Sequence, residues 1–228
     1  MNKGLKYEKR LFQEYKDLNL TPPDFKPAGS TNQGHDLELL LNDHLLGIEL
    51  KLNKKAQMGG TSFKINDDSI TPKRPFVGQE KVILEILDKK EDYENFLNFF
   101  DKEKVPFVTE LSLWNEAKSL GLLARCNINT DFVGFDFIKE HYNLKDTKYL
   151  QIGGLGLFSL SHINPLNAPQ FDADLELQTR FIRGSSKYVK SKSEKVCSVS
   201  LRVQAKIRKT YISSLLNLEK PETIIGEK

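Results

Sequence analysis

Cysteine occurs only twice in the 228 residues, at Cys126 and Cys197, and tryptophan only once. Two cysteines so far apart build neither a disulfide framework nor a cysteine zinc site, which points to a reducing compartment. No apolar run is long enough to span a bilayer, so a membrane helix is not expected. The N-terminal MNKGLKYEKR is charged from the start and lacks the apolar centre of a secretory signal. Internal repeats and low-complexity tracts are missing as well, which argues against a repeat architecture or a chain disordered throughout. The expectation is a soluble cytoplasmic protein with enough chain to bury one real core, read as a single domain over 1–228.

Net charge is also scarce, at +3, but it is unevenly spread. From Gln178 to Thr210 ten Lys or Arg face a single acid, Glu194, so the remainder of the chain is acidic. A segregated basic stretch is either a solvated face or the footprint of a polyanion.

What is present falls into three blocks. In the first, 1–66, Lys3 to Leu18 reads as an amphipathic helix, with Leu5, Tyr7, Leu11, Phe12, Tyr15 and Leu18 on one side. TPPDFKPAGSTNQG breaks it, and GHDLELLLNDHLLGIELKL follows as two strands, Leu37–Leu41 and Leu45–Leu52, turning at Asn42-Asp43. A third strand is expected over Thr61–Ile65, in one sheet with the hairpin. In the second block, 77–143, Val77 to Lys102 reads as a long helix or a broken pair, with further helices near Leu113–Leu120 and Asp131–Tyr142. In the third, 147–210, KYLQIGG, LGLFSL, ADLELQTRFI and KVCSVSLRVQAKIRK are strand-like. The order helix, strands, helices, strands gives an α/β or α+β body.

In the second strand Ile48, Leu50 and Leu52 point one way while Glu49 and Lys51 point the other. Acid-x-Lys triplets recur at Asp24, Asp88, Glu116 and Asp146, but those lie in a loop, on helices or at a strand edge; Glu49-Leu-Lys51 lies inside an apolar alternating strand. The hairpin brings Asp36 beside the end of that strand. Two nearby carboxylates repel unless a cation sits between them, and Mg²⁺ is the usual one in phosphate chemistry. Glu8 lines up with Leu5, Phe12 and Tyr15, so the helix carries a third carboxylate within its apolar stripe, where an unpaired charge is costly. The plainer alternatives are a surface ion pair for Glu49 and Lys51, a turn cap for Asp36 and a bond from Glu8 to Lys9 or Arg10.

Gly4 and Glu8 on the first helix, AGS ending at Ser30, GHD ending at Asp36 and IELK from Ile48 to Lys51 resemble the PD-(D/E)xK nuclease superfamily. The order is most similar to archaeal Holliday-junction resolvases and to the cores of type II restriction endonucleases, and the likeness covers about the first quarter of the chain. His35 stands where the motif has proline. The resemblance implies a restriction-endonuclease-like mixed sheet flanked by helices, with residues 147–210 as a β-rich basic extension. It implies that Asp36, Glu49 and the Leu50 carbonyl bind Mg²⁺, Mn²⁺ being able to substitute, that Glu8 completes the metal site, and that Ser30 lies near it. Lys51 would contact the attacking water and the scissile phosphate. The activity implied is metal-dependent hydrolysis of DNA, with junction resolution or non-catalytic nucleic-acid binding on the same fold as alternatives. A homodimer is expected, because cutting a duplex needs two sites.

Around the motifs, Lys54, Lys55 and Gln57 follow the triplet and are candidate phosphate contacts. FIRGSSKYVKSKSEK reads as a long basic connection between strands, so Arg183, Lys187, Lys190 and Lys192, with Arg180 just before it, are candidate DNA-backbone contacts. FDADLEL has no following lysine and reads as a polar strand face, and GGLGLF lacks the ending of a phosphate loop.

Overall fold

The computed structural model of the chain describes residues 2–27, 34–66, 69–100, 105–131, 133–188 and 194–225. Its elements in chain order are α1 (Lys3–Asp17), β1 (Leu37–Leu41), β2 (His44–Lys51), β3 (Gly59–Asn66), β4 (Ser69–Pro72), α2 (Gln79–Asp88), α3 (Glu91–Phe99) and β5 (Phe107–Glu110). They continue with α4 (Leu111–Ser119), β6 (Arg125–Ile128), α5 (Phe135–Asn143), β7 (Tyr149–Ile152), β8 (Gly156–Ser159), β9 (Ala173–Tyr188), β10 (Lys195–Thr210) and α6 (Glu222–Ile225). The class is mixed α/β, with two sheets. Among the described residues no helix is long and apolar enough to cross a membrane.

The chain divides into two compact units, each made of separate stretches: Met1–Met58, Gly134–Leu175 and Lys206–Lys228 in the first, Gly59–Val133 and Glu176–Ala205 in the second. In the first, Asn42 and Asp43 both take left-handed backbone, with φ of 48° and 61°. Two left-handed residues match the twist of a tight hairpin, and Asn and Asp tolerate that conformation. The turn sets Leu41 opposite His44 and Leu37 opposite Ile48. β2 also pairs in parallel with β7, Glu49 opposite Leu150 and Lys51 opposite Ile152, and β7 continues antiparallel into β8. The four-stranded sheet therefore runs β1-β2-β7-β8.

One core of this unit joins α1 to the sheet. Tyr7, Leu11 and Tyr15 recur every four residues and are buried with Leu37, Leu39, Ile48, Leu50, Tyr149 and Leu157. Asn2 caps the helix by accepting from the Gly4 N–H at 3.1 Å. Asn19, with φ of 56°, ends it, and the Leu20 carbonyl then accepts from the Leu40 N–H at 2.8 Å, fixing the entry to the hairpin.

The second unit holds the sheet β4-β3-β10-β9-β6, with β5 on β10. Phe96 of α3 stacks on Phe181 of β9 at 3.9 Å and meets Trp114 of α4 edge-on at 6.0 Å. Two expectations change here. β3 does not extend the hairpin's sheet; it pairs with β10, Phe63 opposite Leu201, and α2 to α4 belong to its unit. Residues 147–210 are not one extension either, since β7 and β8 complete the first sheet. The parallel pairing of β7 with β2 needs a long crossover, and the Gly59–Val133 stretch of the second unit lies within it.

Candidate active site

The site is built at the end of β2. Asp36 immediately precedes β1; its N–H donates to the Ile48 carbonyl at 3.1 Å, and its Oδ2 accepts from the Leu50 N–H at 3.0 Å. The side chain thus takes a backbone donor of β2 just beyond the start of β1. Glu49, only 5% exposed, faces away from the Ile48 and Leu50 side, and Lys51 donates to its Oε1 at 2.5 Å. Glu49 is expected on a sheet face and found there, but the face is covered: Lys145, in the turn after α5, lies 3.5 Å from Glu49 Oε2. The Tyr142 ring lies 5.8 Å from the Lys51 ammonium and 5.4 Å from that of Lys145.

These groups act on each other's protons. Burial, then the charge of Glu49, pushes the Asp36 carboxyl up to about 7 against the opposing pull of Lys51 and the Leu50 N–H. Burial also works against charge on Glu49, yet Lys51, Lys145 and His141 hold it below the usual carboxylate range. Burial disfavours the Lys51 ammonium too, but Tyr142, Glu49 and Asp36 keep it protonated well above the usual lysine range. Burial, followed by Lys145, lowers His141 to about 4, so its ring is neutral near pH 7.

Glu8 is half-buried at the flank of the Tyr7, Leu11 and Tyr15 stripe rather than at its centre. Its Oε1 lies over Gly4, 3.9 Å from where a Cβ there would stand. Burial raises its pKa, Lys51 lowers it and Glu49 raises it, which brings its carboxylate to the same cluster. Asp36, Glu49, Lys51 and Glu8 are therefore all gathered within electrostatic reach of one another. Ser30 lies outside the described residues.

Among the described residues no three His, Cys, Asp or Glu side chains are grouped so as to hold a metal ion. Mg²⁺, however, is commonly held by one or two carboxylates, with waters and substrate phosphates completing its shell. Asp36 and Glu49 fit that role: both are hard oxygen donors, and their mutual repulsion, seen in the raised Asp36 pKa, is what a cation relieves. The Leu50 carbonyl between them is a further hard donor. Glu8 feels Lys51 more than Glu49, and among the described residues it joins no three-carboxylate set.

His35, in the position of the motif's proline, packs on the bare Cα of Gly47; a Cβ at 47 would fall 2.5 Å from the ring. The ring also reaches Thr147 Oγ1 at 3.2 Å and Glu38 at 3.4 Å. Gly47→Ala is expected to lower stability by about 1–3 kcal/mol, the usual cost of overpacking, and to disturb Asp36 next door. A urea melt checks it, and an unchanged midpoint means the ring gives way freely.

Lys54 and Lys55 are exposed in the turn after β2, and Gln57 is half-buried there. The expected basic connection is in fact largely strand, for β9 runs on to Tyr188. Strand alternation divides its basic residues, Arg180 falling on one face and Arg183 and Lys187 on the other. Arg183 lies toward Cys197, whose thiol it influences. Lys190 and Lys192 lie outside the described residues. Lys145, His141 and Tyr142 are the site residues that the sequence alone did not single out; they sit far along the chain from the motifs. Set against known protein families, curated proteins and solved structures, the chain matches none.

Proposed function

We propose that this chain is a Mg²⁺-dependent DNA endonuclease with a restriction-endonuclease-like core of the PD-(D/E)xK kind. The observation that carries the reading is the convergence, at the end of one buried strand, of the Asp36 and Glu49 carboxylates with the Lys51 ammonium. Asp36, Glu49 and the Leu50 carbonyl would hold the divalent cation. When bound, the cation supplies Lewis-acid stabilisation of the reacting phosphate and a water acidic enough to attack near neutral pH. Lys51 stays protonated and presents its ammonium to the phosphate, where negative charge builds in the transition state. Glu8 lies within electrostatic reach of Lys51 from the helix side, and Lys145 adds positive charge beside Glu49. Lys54, Lys55 and Gln57 lead the DNA backbone away from the site. Cutting both strands calls for two such sites, hence a homodimer.

A second reading is a non-catalytic nucleic-acid-binding protein, favoured by the way Lys51 and Lys145 already neutralise Glu49. Plasmid, linear duplex, single strand and four-way junction, each incubated in Mg²⁺ and in EDTA, decide between them and against a junction resolvase. Cutting of duplex in Mg²⁺ alone is expected; no cutting of any substrate, together with no Mg²⁺ binding by calorimetry, removes the nuclease reading.

The Asp36 carboxyl, up at about 7, also sets a pH dependence. It holds a cation only when ionised, so at limiting Mg²⁺ the cutting rate is expected to rise about tenfold per pH unit below about pH 7 and to level off above it. Saturating Mg²⁺ favours the anion and moves the break to lower pH. A flat profile at limiting Mg²⁺ from about pH 5.5 to about pH 8 takes Asp36 out of the rate-limiting step.

A further inference from the structure

The sheet of the second unit has two unlike faces. Odd-numbered residues of β9 face α3: Phe181 stacks on Phe96, and Thr179 hydrogen-bonds the Tyr93 hydroxyl. Gln178 and Arg180 alternate with them and so belong to the opposite face. The register carries neighbours onto that face. Arg125 of β6 stands opposite Arg180, and Asn127 opposite Gln178, whose amide reaches Asn127 Oδ1 at 3.5 Å. On β10, Leu201 and Val203 are buried in the core, while Arg202 and Gln204 lie opposite Ser62 and Gly60 of β3. The two strands share the face: a Cβ on Gly184 of β9 would collide with Ser198 Oγ, and the Arg180 charge acts on Arg202.

This face is rich in donors that lack acceptors. Among the described residues Arg180 Nε, Arg202 Nε and Gln204 Nε2 are all buried without a hydrogen-bond partner, and Gln204 is only 1% exposed. Three orphan donors on one sheet face are costly in a folded protein unless a ligand supplies the acceptors. Adjacent guanidiniums raise that cost. The acids that alternation and register assign to the face, Asp174, Glu176 and Glu110, make no ion pair with Arg125, Arg180 or Arg202 among the described residues, Asp174 pairing instead with Arg208. What such a surface lacks is a row of anionic oxygens at repeated spacing, which is the chemistry of a phosphodiester backbone.

We infer that this face, centred on Arg180, Arg202 and Arg125, binds the phosphate backbone of duplex nucleic acid. The inference deepens the nuclease reading and rests on it only for the identity of the polymer as DNA. Arginine suits the role because its planar fork donates to two phosphate oxygens at once. The Arg183 and Lys187 side of β9 is not part of this surface.

The test is fluorescence anisotropy of a labelled duplex with the full chain in EDTA, where no cutting occurs, across a salt series. Arg125→Ala/Arg180→Ala/Arg202→Ala is expected to bind at least about 100-fold more weakly and to lower the slope of log K against log salt by about 3, near 0.9 for each phosphate that is no longer neutralised. Arg125→Ala alone, at an exposed position, is expected to lower it by about 1 with no effect on folding. Arg183→Ala/Lys187→Ala is expected to keep the wild-type slope. Wild-type affinity and slope in both the triple and the single variant overturn the inference, as does a wild type that binds inorganic phosphate but no duplex. Failure of the nuclease reading shows elsewhere: the slope changes as described, yet no substrate is cut in Mg²⁺.

Discussion

Asp36→Asn is expected to raise the melting temperature of the metal-free protein near pH 8 and to abolish Mg²⁺-dependent cutting of DNA. Burial and the neighbouring Glu49 lift the Asp36 pKa from 3.8 to about 7, so the fold prefers this group protonated. For an acid with a raised folded-state pKa, stability is fully present below the unfolded value and is lost as pH rises through the folded one. The window is therefore about pH 4 to about pH 7, and at its upper end the ionised carboxylate costs at most about 4 kcal/mol, which relaxation of the site reduces to about 2. An isosteric amide removes that cost and keeps an oxygen to accept from the Leu50 N–H. A gain of about 2 kcal/mol corresponds to a rise of roughly 4–8 °C for a chain of this size. The gain should shrink as pH falls and vanish below about pH 4, where Asp36 is protonated in the folded and unfolded chain alike, and reverse in Mg²⁺, which stabilises only the protein that binds it. Glu49 works in the opposite sense, since its lowered pKa contributes stability that is lost as pH falls. Cutting should fall by at least about 10³-fold, because the cation loses one of its two carboxylates. A variant that melts lower than wild type in EDTA near pH 8 makes Asp36 a simple turn cap, and one that cuts at the wild-type rate ends the nuclease reading.

How much of this the sequence carried depends on range. The hairpin was legible because its signals are local: Asn42 and Asp43 suit a left-handed turn, and leucines at every second position declare the buried side. The same alternation put Glu49 and Lys51 on one face and brought Asp36 to the end of their strand. It could not say what covers that face. Lys145, His141 and Tyr142 arrive through the crossover that joins β2 to β7, and no periodicity links a strand to a helix so distant in the chain. Partner choice was hidden for the same reason. β3 has the pattern of a third strand after a hairpin, yet it pairs with β10, and a polar and apolar alternation fits either neighbour equally. The strands β4, β5 and β6, each of four residues, are too short to show a period. The basic stretch was visible as composition, but its division between two faces appears only once β9 is known to run unbroken to Tyr188.

Lys51→Met is expected to be the most damaging single change at the site, and its repair separates structure from chemistry. The ammonium bonds Glu49 at 2.5 Å, and Glu49 is 5% exposed, so methionine leaves a buried carboxylate with only Lys145, at 3.5 Å, to answer it. Breaking a buried pair in this way costs about 3–5 kcal/mol, with Lys145 holding the loss toward the lower figure. Glu49→Gln in the same chain removes the stranded charge, and the double variant should recover most of that stability, a coupling of about 1–3 kcal/mol in a double-mutant cycle read by urea denaturation. If Lys51 and Glu49 were only a buried ion pair within β2, with Glu49 also tied to Lys145 in the turn after α5, the repaired protein would recover whatever activity the fold carries. The chemistry predicts otherwise: the double variant has lost one carboxylate for the cation and the ammonium that meets the phosphate, so cutting should stay at least about 10²-fold down despite the regained stability. Stability and cutting that return together would assign the pair to the scaffold, whereas stability without cutting assigns it to the reaction.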